Sequence, residues 1–163
     1  MSDVSGKFRV TLDGQGRLAI PLKLRIALQI AEHDKMVITR GVETYIQGYN
    51  IERWNEYKKE ILSKSPNDLE TKRWVIRDFI GSSHDVLFDK QGRITLPEEL
   101  AKTTQVFGLD EVIVIGCEDH IEIWNPALLE TGRAEKEQAV VAAMNKNEDG
   151  STAQNDVTNP VAC

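Results

Sequence analysis

The sequence has few cysteines and no long apolar run. Only two of its 163 residues are cysteines, Cys117 and Cys163, which is too few for a disulfide framework, and we interpret both as free thiols. The longest apolar runs, such as residues 112–115 and 139–144, are far shorter than the roughly 18 residues that a membrane-spanning helix needs. The N-terminal segment contains Asp3 and no apolar stretch, unlike a secretory signal. These absences predict a cytoplasmic protein with no membrane partner.

The sequence also lacks the basic excess that is typical of a general nucleic-acid binder. Its 20 Lys and Arg residues are outnumbered by 26 Asp and Glu residues, so the net charge is −6. The charge is uneven, however, because residues 7–25 carry five basic side chains and a single acid, Asp13. A small basic segment on an acidic protein favours a contact limited to one site on a polyanion over a broad electrostatic surface.

Motifs of the common catalytic and metal sites are absent. The three histidines, His33, His84 and His120, lie in no His-Glu-x-x-His pattern, and the chain has no Cys-x-x-Cys pair and no phosphate-binding Gly-Lys-Ser/Thr loop. Residues 82–85 contain the residue types of a catalytic triad, but consecutive residues cannot supply its spatial geometry. The sequence therefore predicts that the protein is not an enzyme and needs no metal or cofactor.

An internal repeat organises most of the chain. When the sequence is shifted by 76 residues, from 12 to 88, the segment LDGQGRLAIP lies on FDKQGRITLP. The Asp, Gln, Gly, Arg and Pro positions coincide, and the similarity continues into the segments that follow. This predicts two copies, residues 5–80 with an inserted helical hairpin and residues 81–129. Residues 130–163 then comprise a helix to about Met144 and a disordered tail.

Each copy has the pattern of a hairpin, a helix and a second hairpin. Phe8 and Val10 alternate with Lys7 and Arg9, which predicts a half-buried strand with its basic side chains outside. Asp and Gly supply the turn that follows, and Pro21 is suited to the first position of a helix. The sequence therefore predicts an α+β fold.

The repeated turn carries residue types that suit DNA recognition. A carboxylate four residues before an arginine can orient its guanidinium, which can then form two hydrogen bonds with a phosphate or a guanine edge. Asp and Gly alone are ordinary turn residues, and a single exposed arginine is usually only solvated, but turn geometry does not explain why the arginine recurs. The candidate DNA-binding residues are Asp13, Arg17, Asp89 and Arg93, with Lys7, Arg9, Gln15, Lys90 and Gln91 around them.

These motifs resemble the MraZ family of transcriptional regulators. The resemblance covers about residues 5–130 and rests on Gly6, LDGQGRLAIP, Trp54, FDKQGRITLP and VIVIGCEDHIEIW in that order. It implies two tandem AbrB-like swapped-hairpin units that form a pseudo-twofold β-barrel core with flanking helices. Gln15 and Gln91 stand where many members carry lysine, which removes one cation from each loop.

The resemblance also implies a function and an assembly. It implies a ring-shaped homo-oligomer associated with the nucleoid. The ring would bind direct repeats of double-stranded DNA in its own promoter, upstream of the division and cell-wall gene cluster, through its Asp-x-x-x-Arg loops.

Two alternatives keep the fold and change the partner. AbrB-like hairpins also serve as antitoxins, although an antitoxin usually has a single hairpin unit followed by a disordered binding tail. The other alternative is a protein-interaction ring with no role in nucleic-acid binding. For such a ring, removing the Arg17 guanidinium would leave all binding unchanged.

Overall fold

The computed structural model describes residues 3–31, 34–64 and 67–156. These residues form an α+β fold, as the sequence predicts. The strands are β1 (Val4–Thr11), β2 (Arg17–Ala19), β3 (Lys35–Arg40), β4 (Ile46–Tyr49), β5 (His84–Leu87), β6 (Arg93–Thr95), β7 (Glu111–Glu118) and β8 (Ile121–Trp124). The helices are α1 (Leu22–Ala27), α2 (Ile51–Lys64), α3 (Leu69–Val75), α4 (Glu98–Thr103) and α5 (Pro126–Asp156), with a π-helical turn at Ile76–Ile80.

The two copies of the repeat pair with each other rather than folding apart. Six strands form an antiparallel sheet in the order β1-β7-β8-β4-β3-β5, and β2 and β6 form a separate antiparallel pair. Strand β1 of the first copy pairs with β7 of the second, and β5 of the second copy pairs with β3 of the first. Strands β4 and β8 join the two halves at the centre of the sheet. Each copy therefore supplies strands that complete the other.

The core follows from the alternation along these strands. In β1, Phe8 and Val10 pack against the main hydrophobic cluster, whereas Lys7 and Arg9 are exposed, as the period of two predicts. Leu18 of β2 lies opposite Ile94 of β6, and both are fully buried. Side chains from both copies thus form one core.

The insert in the first copy forms helices α2 and α3. The indole of Trp54 in α2 packs with Val37 and Tyr49 in a smaller cluster. Asp68 caps α3, because its carboxylate accepts a hydrogen bond from the Thr71 amide at 2.9 Å. The predicted helical insert is therefore present, on a second apolar cluster of its own.

The chain divides into a body that ends at Pro126 and a C-terminal unit that begins at Ala127. The polar composition predicts disorder from about Asn145, but α5 continues to Asp156. Residues 157–163 lie outside the described part of the chain. Extending a formed helix adds a hydrogen bond for each residue and needs no new nucleus, so a polar composition did not end it. Among the described residues, no helix has both the length and the apolar character needed to cross a membrane.

The joint core predicts the effect of truncating Leu18. Leu18→Ala removes a side chain that is 1% exposed and should lower the free energy of unfolding by about 2–5 kcal/mol, since it leaves a cavity between β2 and β6. Leu69→Ala, the same change at a side chain that is 61% exposed, should cost about 0.5 kcal/mol or less. Urea unfolding followed by circular dichroism measures both. Equal losses in the two variants would contradict this description of the core.

Candidate nucleic-acid interface

The first loop, residues 13–17, is held together by the carboxylate of Asp13. One carboxylate oxygen, Oδ1, accepts hydrogen bonds from the backbone amides of Gln15 and Arg17, both at 2.9 Å. The other, Oδ2, accepts a hydrogen bond from Arg17 Nε at 2.7 Å. Gly16 adopts a positive φ of 77°, which glycine tolerates without strain. The same side chain therefore folds the turn and orients the arginine.

The second loop, residues 89–93, repeats this arrangement. Asp89 Oδ1 accepts from the amides of Gln91 and Arg93 at 2.8 and 2.9 Å, and Oδ2 accepts from Arg93 Nε at 2.8 Å. Gly92 has a φ of 74°. The contacts predicted from the Asp-x-x-x-Arg spacing are thus present in both copies, within 0.1 Å of each other.

These hydrogen bonds also keep both carboxyl groups ionised. The backbone amide and then the guanidinium of Arg17 lower the pKa of Asp13 below its ordinary value. The amide of Arg93, and also its guanidinium, lower the pKa of Asp89. Each arginine is therefore paired with a carboxylate that stays charged at neutral pH.

The two loops lie side by side because β2 and β6 pair. The carbonyl of Gly16 accepts a hydrogen bond from the Leu96 amide at 2.8 Å, and the carbonyl of Gly92 accepts one from the Ile20 amide at 3.1 Å. These two bonds are equivalent under the 76-residue repeat. Arg93 Nη1 lies 3.9 Å from Asp13 Oδ2, so the charged groups of the loops are direct neighbours.

A groove of about 470 Å³ runs beside the loops and is lined by Arg9, Arg17 and Arg93 together with Asp13. Three of the predicted cations thus share one surface. Arg9 is also paired with Glu111 at 3.1 Å, and both side chains are more than half exposed, so water weakens this ion pair. Lys7 is exposed on β1, two residues beyond Arg9, outside this lining.

The remaining predicted residues lie at the loop tips. Gln15, Lys90 and Gln91 are exposed, with backbone rather than side-chain roles in the turns for the two glutamines. Acidic side chains border the first loop, since Glu98 and Asp110 line a neighbouring depression of about 390 Å³. The candidate surface is therefore a pair of arginine-bearing loops with acids close by, not a broad basic face.

Arg25 is a contributor that the sequence pattern did not reveal. Its Nε donates to the carbonyl of Ile20 at 3.1 Å, and its guanidinium lies 5.8 Å from the centre of the Phe88 ring. A Cβ atom built at Gly92 would lie 2.8 Å from Arg25 Nη2. Arg25 of the first copy therefore packs against the second loop. The repeat does not indicate this role, because Ala101 stands at the equivalent position of the second copy.

Arginines held in this way can act as planar donors. In each loop the arginine Nε donates its hydrogen bond to the aspartate carboxylate. The terminal amino groups of the guanidinium are the donors that remain for an acceptor outside the protein. The side chains of Arg17 and Arg93 are 36% and 29% exposed, so part of each is open to solvent. Such a fixed fork matches the spacing of phosphate oxygens and of the guanine O6 and N7 atoms.

Comparison with known proteins places this geometry in a family. The family described as "MraZ protein, putative antitoxin-like" matches residues 4–77 and 79–148, so each matched stretch contains one loop. A transcriptional regulator MraZ from Lactobacillus johnsonii is 36% identical over 120 residues, 74% of this chain and 79% of that protein. One from Lactobacillus helveticus is 37% identical over 119 residues, 73% and 78% of the two chains. One from Roseiflexus sp. (strain RS-1) is 32% identical over 142 residues, 87% and 89% of the two chains.

The positive φ at Gly92 predicts that any side chain at this position lowers the stability of the protein. Gly92→Ala should lower the free energy of unfolding by about 1–2 kcal/mol, because a Cβ is strained in that conformation and also presses on Arg25. Gly14→Ala is the matched control, since a Cβ there meets no atom within 4 Å and should change stability by about 0.5 kcal/mol or less. Urea unfolding of the two variants measures the difference. A Gly92→Ala protein as stable as Gly14→Ala would show that the loop is not constrained in this way.

Proposed function

The chain belongs to the MraZ family, and on that premise we propose that it is a transcriptional regulator that binds double-stranded DNA through its first and second loops. The relatives are named transcriptional regulators. The observation that carries the proposal is that two arginines on adjacent loops, Arg17 and Arg93, are each held by a carboxylate.

The proposed contact is made by guanidinium groups at a fixed spacing. Because Asp13 and Asp89 hold Nε of each arginine, little side-chain freedom is lost when DNA binds. The terminal amino groups would donate to guanine edges in the major groove or to phosphates. Lys7, Arg9 and Lys90 would add charge, and Gln15 and Gln91 would present neutral amide groups at the tips.

We propose a homo-oligomeric ring as the binding form. One bidentate arginine discriminates between bases by about 1–3 kcal/mol, which is too little to select a promoter. Several loop pairs on one assembly raise the effective concentration of each further contact. A rotational array whose loops point the same way would match direct repeats of a DNA box, with the chain's own promoter in the division and cell-wall gene cluster as the target. The exposed apolar side chains of Leu22 and Ile26 on α1 support an interface between separate molecules of this protein.

The finer description of the fold belongs to the same proposal. The exchange of strands between copies supports an AbrB-like swapped-hairpin arrangement with a pseudo-twofold barrel core. We propose residues 5–80 and 81–129 as its two units and residues 130–163 as a C-terminal extension. A regulator of this kind would act in the cytoplasm, on the nucleoid, without catalysis or a cofactor.

A protein partner is the competing function. The description of the matching family as antitoxin-like keeps this reading open. Two Asp–Arg loops in one chain favour DNA, because an antitoxin needs one hairpin unit and a binding tail. If the protein bound only other proteins, replacing the loop arginines would leave its binding unchanged. Variants at Arg17 and Arg93 therefore separate the two functions.

Removing either loop arginine should weaken DNA binding without unfolding the protein. We expect Arg17→Ala and Arg93→Ala each to reduce affinity for DNA from upstream of the protein's own gene by about 5- to 150-fold, since each removes a bidentate donor. Binding to scrambled DNA should fall less. Fluorescence anisotropy with both DNAs at two salt concentrations measures this.

The control for these variants removes the same charge elsewhere. Arg73→Ala on α3 deletes an exposed guanidinium that is not part of either loop, and should leave the preference for upstream DNA unchanged. Native mass measurement should show the same assembly for all variants. Upstream DNA bound no better than scrambled DNA, or loop variants that match the parent, would refute the proposed function in favour of a protein-interaction role.

Neutralising Asp13 distinguishes orientation from simple charge. Asp13→Asn removes a negative charge, so electrostatics alone predicts tighter DNA binding. We expect weaker sequence-selective binding, because the amide nitrogen would face Arg17 Nε donor to donor and release the guanidinium. Glu98→Gln removes a charge beside the same loop without touching Arg17, and should bind equally or more tightly. If both variants tighten binding alike, Asp13 is not a positioning residue.

A further inference from the structure

The turn between β7 and β8 gathers a second set of polar side chains, at the far end of the sheet from the loops. Strand β7 begins at Glu111, opposite Thr11 beside the first loop, and ends at Glu118, opposite Val4. The amide of Cys117 donates to the carbonyl of His120 at 2.8 Å, so only two residues form the turn. Glu118 there adopts a φ of 73°. The tight turn therefore places Cys117 directly opposite His120.

The register of the hairpin brings a third ligand-type side chain to the same face. Glu122 pairs with Ile115, two residues along from the Cys117 and His120 pair, and residues two apart on a strand share a face. One ligand atom of each of Cys117, His120 and Glu122 lies within 4.8 Å of the other two. The three side chains are partly buried rather than spread over open surface.

The imidazole of His120 is already oriented as a metal-bound histidine is. Its Nδ1 lies 2.6 Å from Asp119 Oδ1, and since a carboxylate only accepts, Nδ1 carries the proton. Its Nε2 lies 3.4 Å from Glu122 Oε2. The ring stacks on Tyr49, with centroids 5.0 Å apart. A carboxylate behind Nδ1 is the usual outer partner of a histidine that binds metal through Nε2.

The groups behind these ligands are held as well. Asp119 accepts a hydrogen bond from Arg53 Nε at 2.6 Å, and Glu122 Oε1 accepts one from Trp124 Nε1 at 2.8 Å. The second oxygen of Glu122 is the one that faces His120. Arg53 and Trp124 therefore fix one end of each carboxylate and direct the other toward the imidazole.

From this geometry we infer that Cys117, His120 and Glu122 form a binding site for a divalent transition-metal ion of the Zn²⁺ class. A sulfur, a nitrogen and an oxygen ligand form a mixed set that suits Zn²⁺ and its spectroscopic substitute Co²⁺, and three protein ligands leave a fourth position for water. The ligand atoms lie within 4.8 Å of one another and would have to move closer together around a bound ion, which holds nitrogen and oxygen ligands at about 2.0–2.2 Å and sulfur at about 2.3 Å.

Metal binding would replace protons by an ion, with no redox step. Cys117 binds a metal ion as its thiolate, so its thiol must give up a proton when the ion binds. The metal–sulfur bond forms as the S–H bond of Cys117 breaks. The metal–nitrogen bond forms as His120 Nε2 gives up the proton that it directs toward Glu122 Oε2, and both protons leave to solvent. The ion would also tie the ends of β7 and β8 together.

The test uses the full-length, reduced protein after treatment with a chelator and its removal. Titration with Co²⁺ should give one bound ion per chain and a thiolate-to-cobalt charge-transfer absorption, which Zn²⁺ then abolishes by displacement. Cys117→Ser should lose this absorption. Cys163→Ser, the matched change at the other cysteine, should retain it.

Asp119, the carboxylate behind His120, allows a second and independent test through the affinity for Zn²⁺. Asp119→Asn keeps all three ligands and should weaken Zn²⁺ binding by about 10- to 100-fold in calorimetry. Glu118→Gln neutralises the exposed neighbour in the same turn and should leave the affinity unchanged. Circular dichroism confirms the fold of each variant.

Three results would overturn the inference. These are a parent protein with no charge-transfer absorption, an absorption that survives in Cys117→Ser, and one that disappears only in Cys163→Ser. The first of them needs no variant, so a misfolded variant cannot hide the answer. None of these measurements involves DNA, so their outcome is independent of the proposed function.

Discussion

The structure depends on the pairing of strands between the two copies of the repeat. A single copy would have unpaired strand edges and half a core, because β1 and β2 of the first copy find their partners in β7 and β6 of the second. The same pairing fixes the distance between the loops, since each loop glycine accepts a hydrogen bond from the residue that follows the opposite short strand. Stability and the candidate interface therefore share one cause.

Within each loop the carboxylate couples folding to recognition. Asp13 and Asp89 use one oxygen to close the turn through backbone amides and the other to hold the arginine. A turn that needed only closure could use asparagine or serine, which would leave the guanidinium free to rotate. The charged residue adds orientation, and in the proposed function this fixed orientation would let the arginine read DNA.

At the opposite end of the sheet a carboxylate also orients a functional side chain, but there Asp119 holds the imidazole of His120 instead of an arginine. A tight turn between β7 and β8 sets Cys117 against His120, and the register adds Glu122. Arg53 from the inserted helix α2 then holds Asp119 behind the imidazole. Helix α2 belongs to the insert, which the second copy of the repeat lacks. The proposed metal site lies where this helix contacts the turn between β7 and β8. The two ends are joined by the length of β7, without sharing a side chain.

The sequence by itself determined the repeat, the alternating faces of β1, the turns and the identity of Asp13, Arg17, Asp89 and Arg93. These are local patterns of spacing, and local physical chemistry decides them. Only the tertiary structure decided that the two loops are neighbours, that Arg25 supports the loop of the other copy, and that α5 continues past Asn145. It also brought Cys117, His120 and Glu122 together in an order that resembles no linear metal motif. The contacts between the loops depend on the pairing of β2 with β6, which lie 76 residues apart in the chain. The cluster of Cys117, His120 and Glu122 depends on the register of the hairpin formed by β7 and β8. No short sequence pattern records either register.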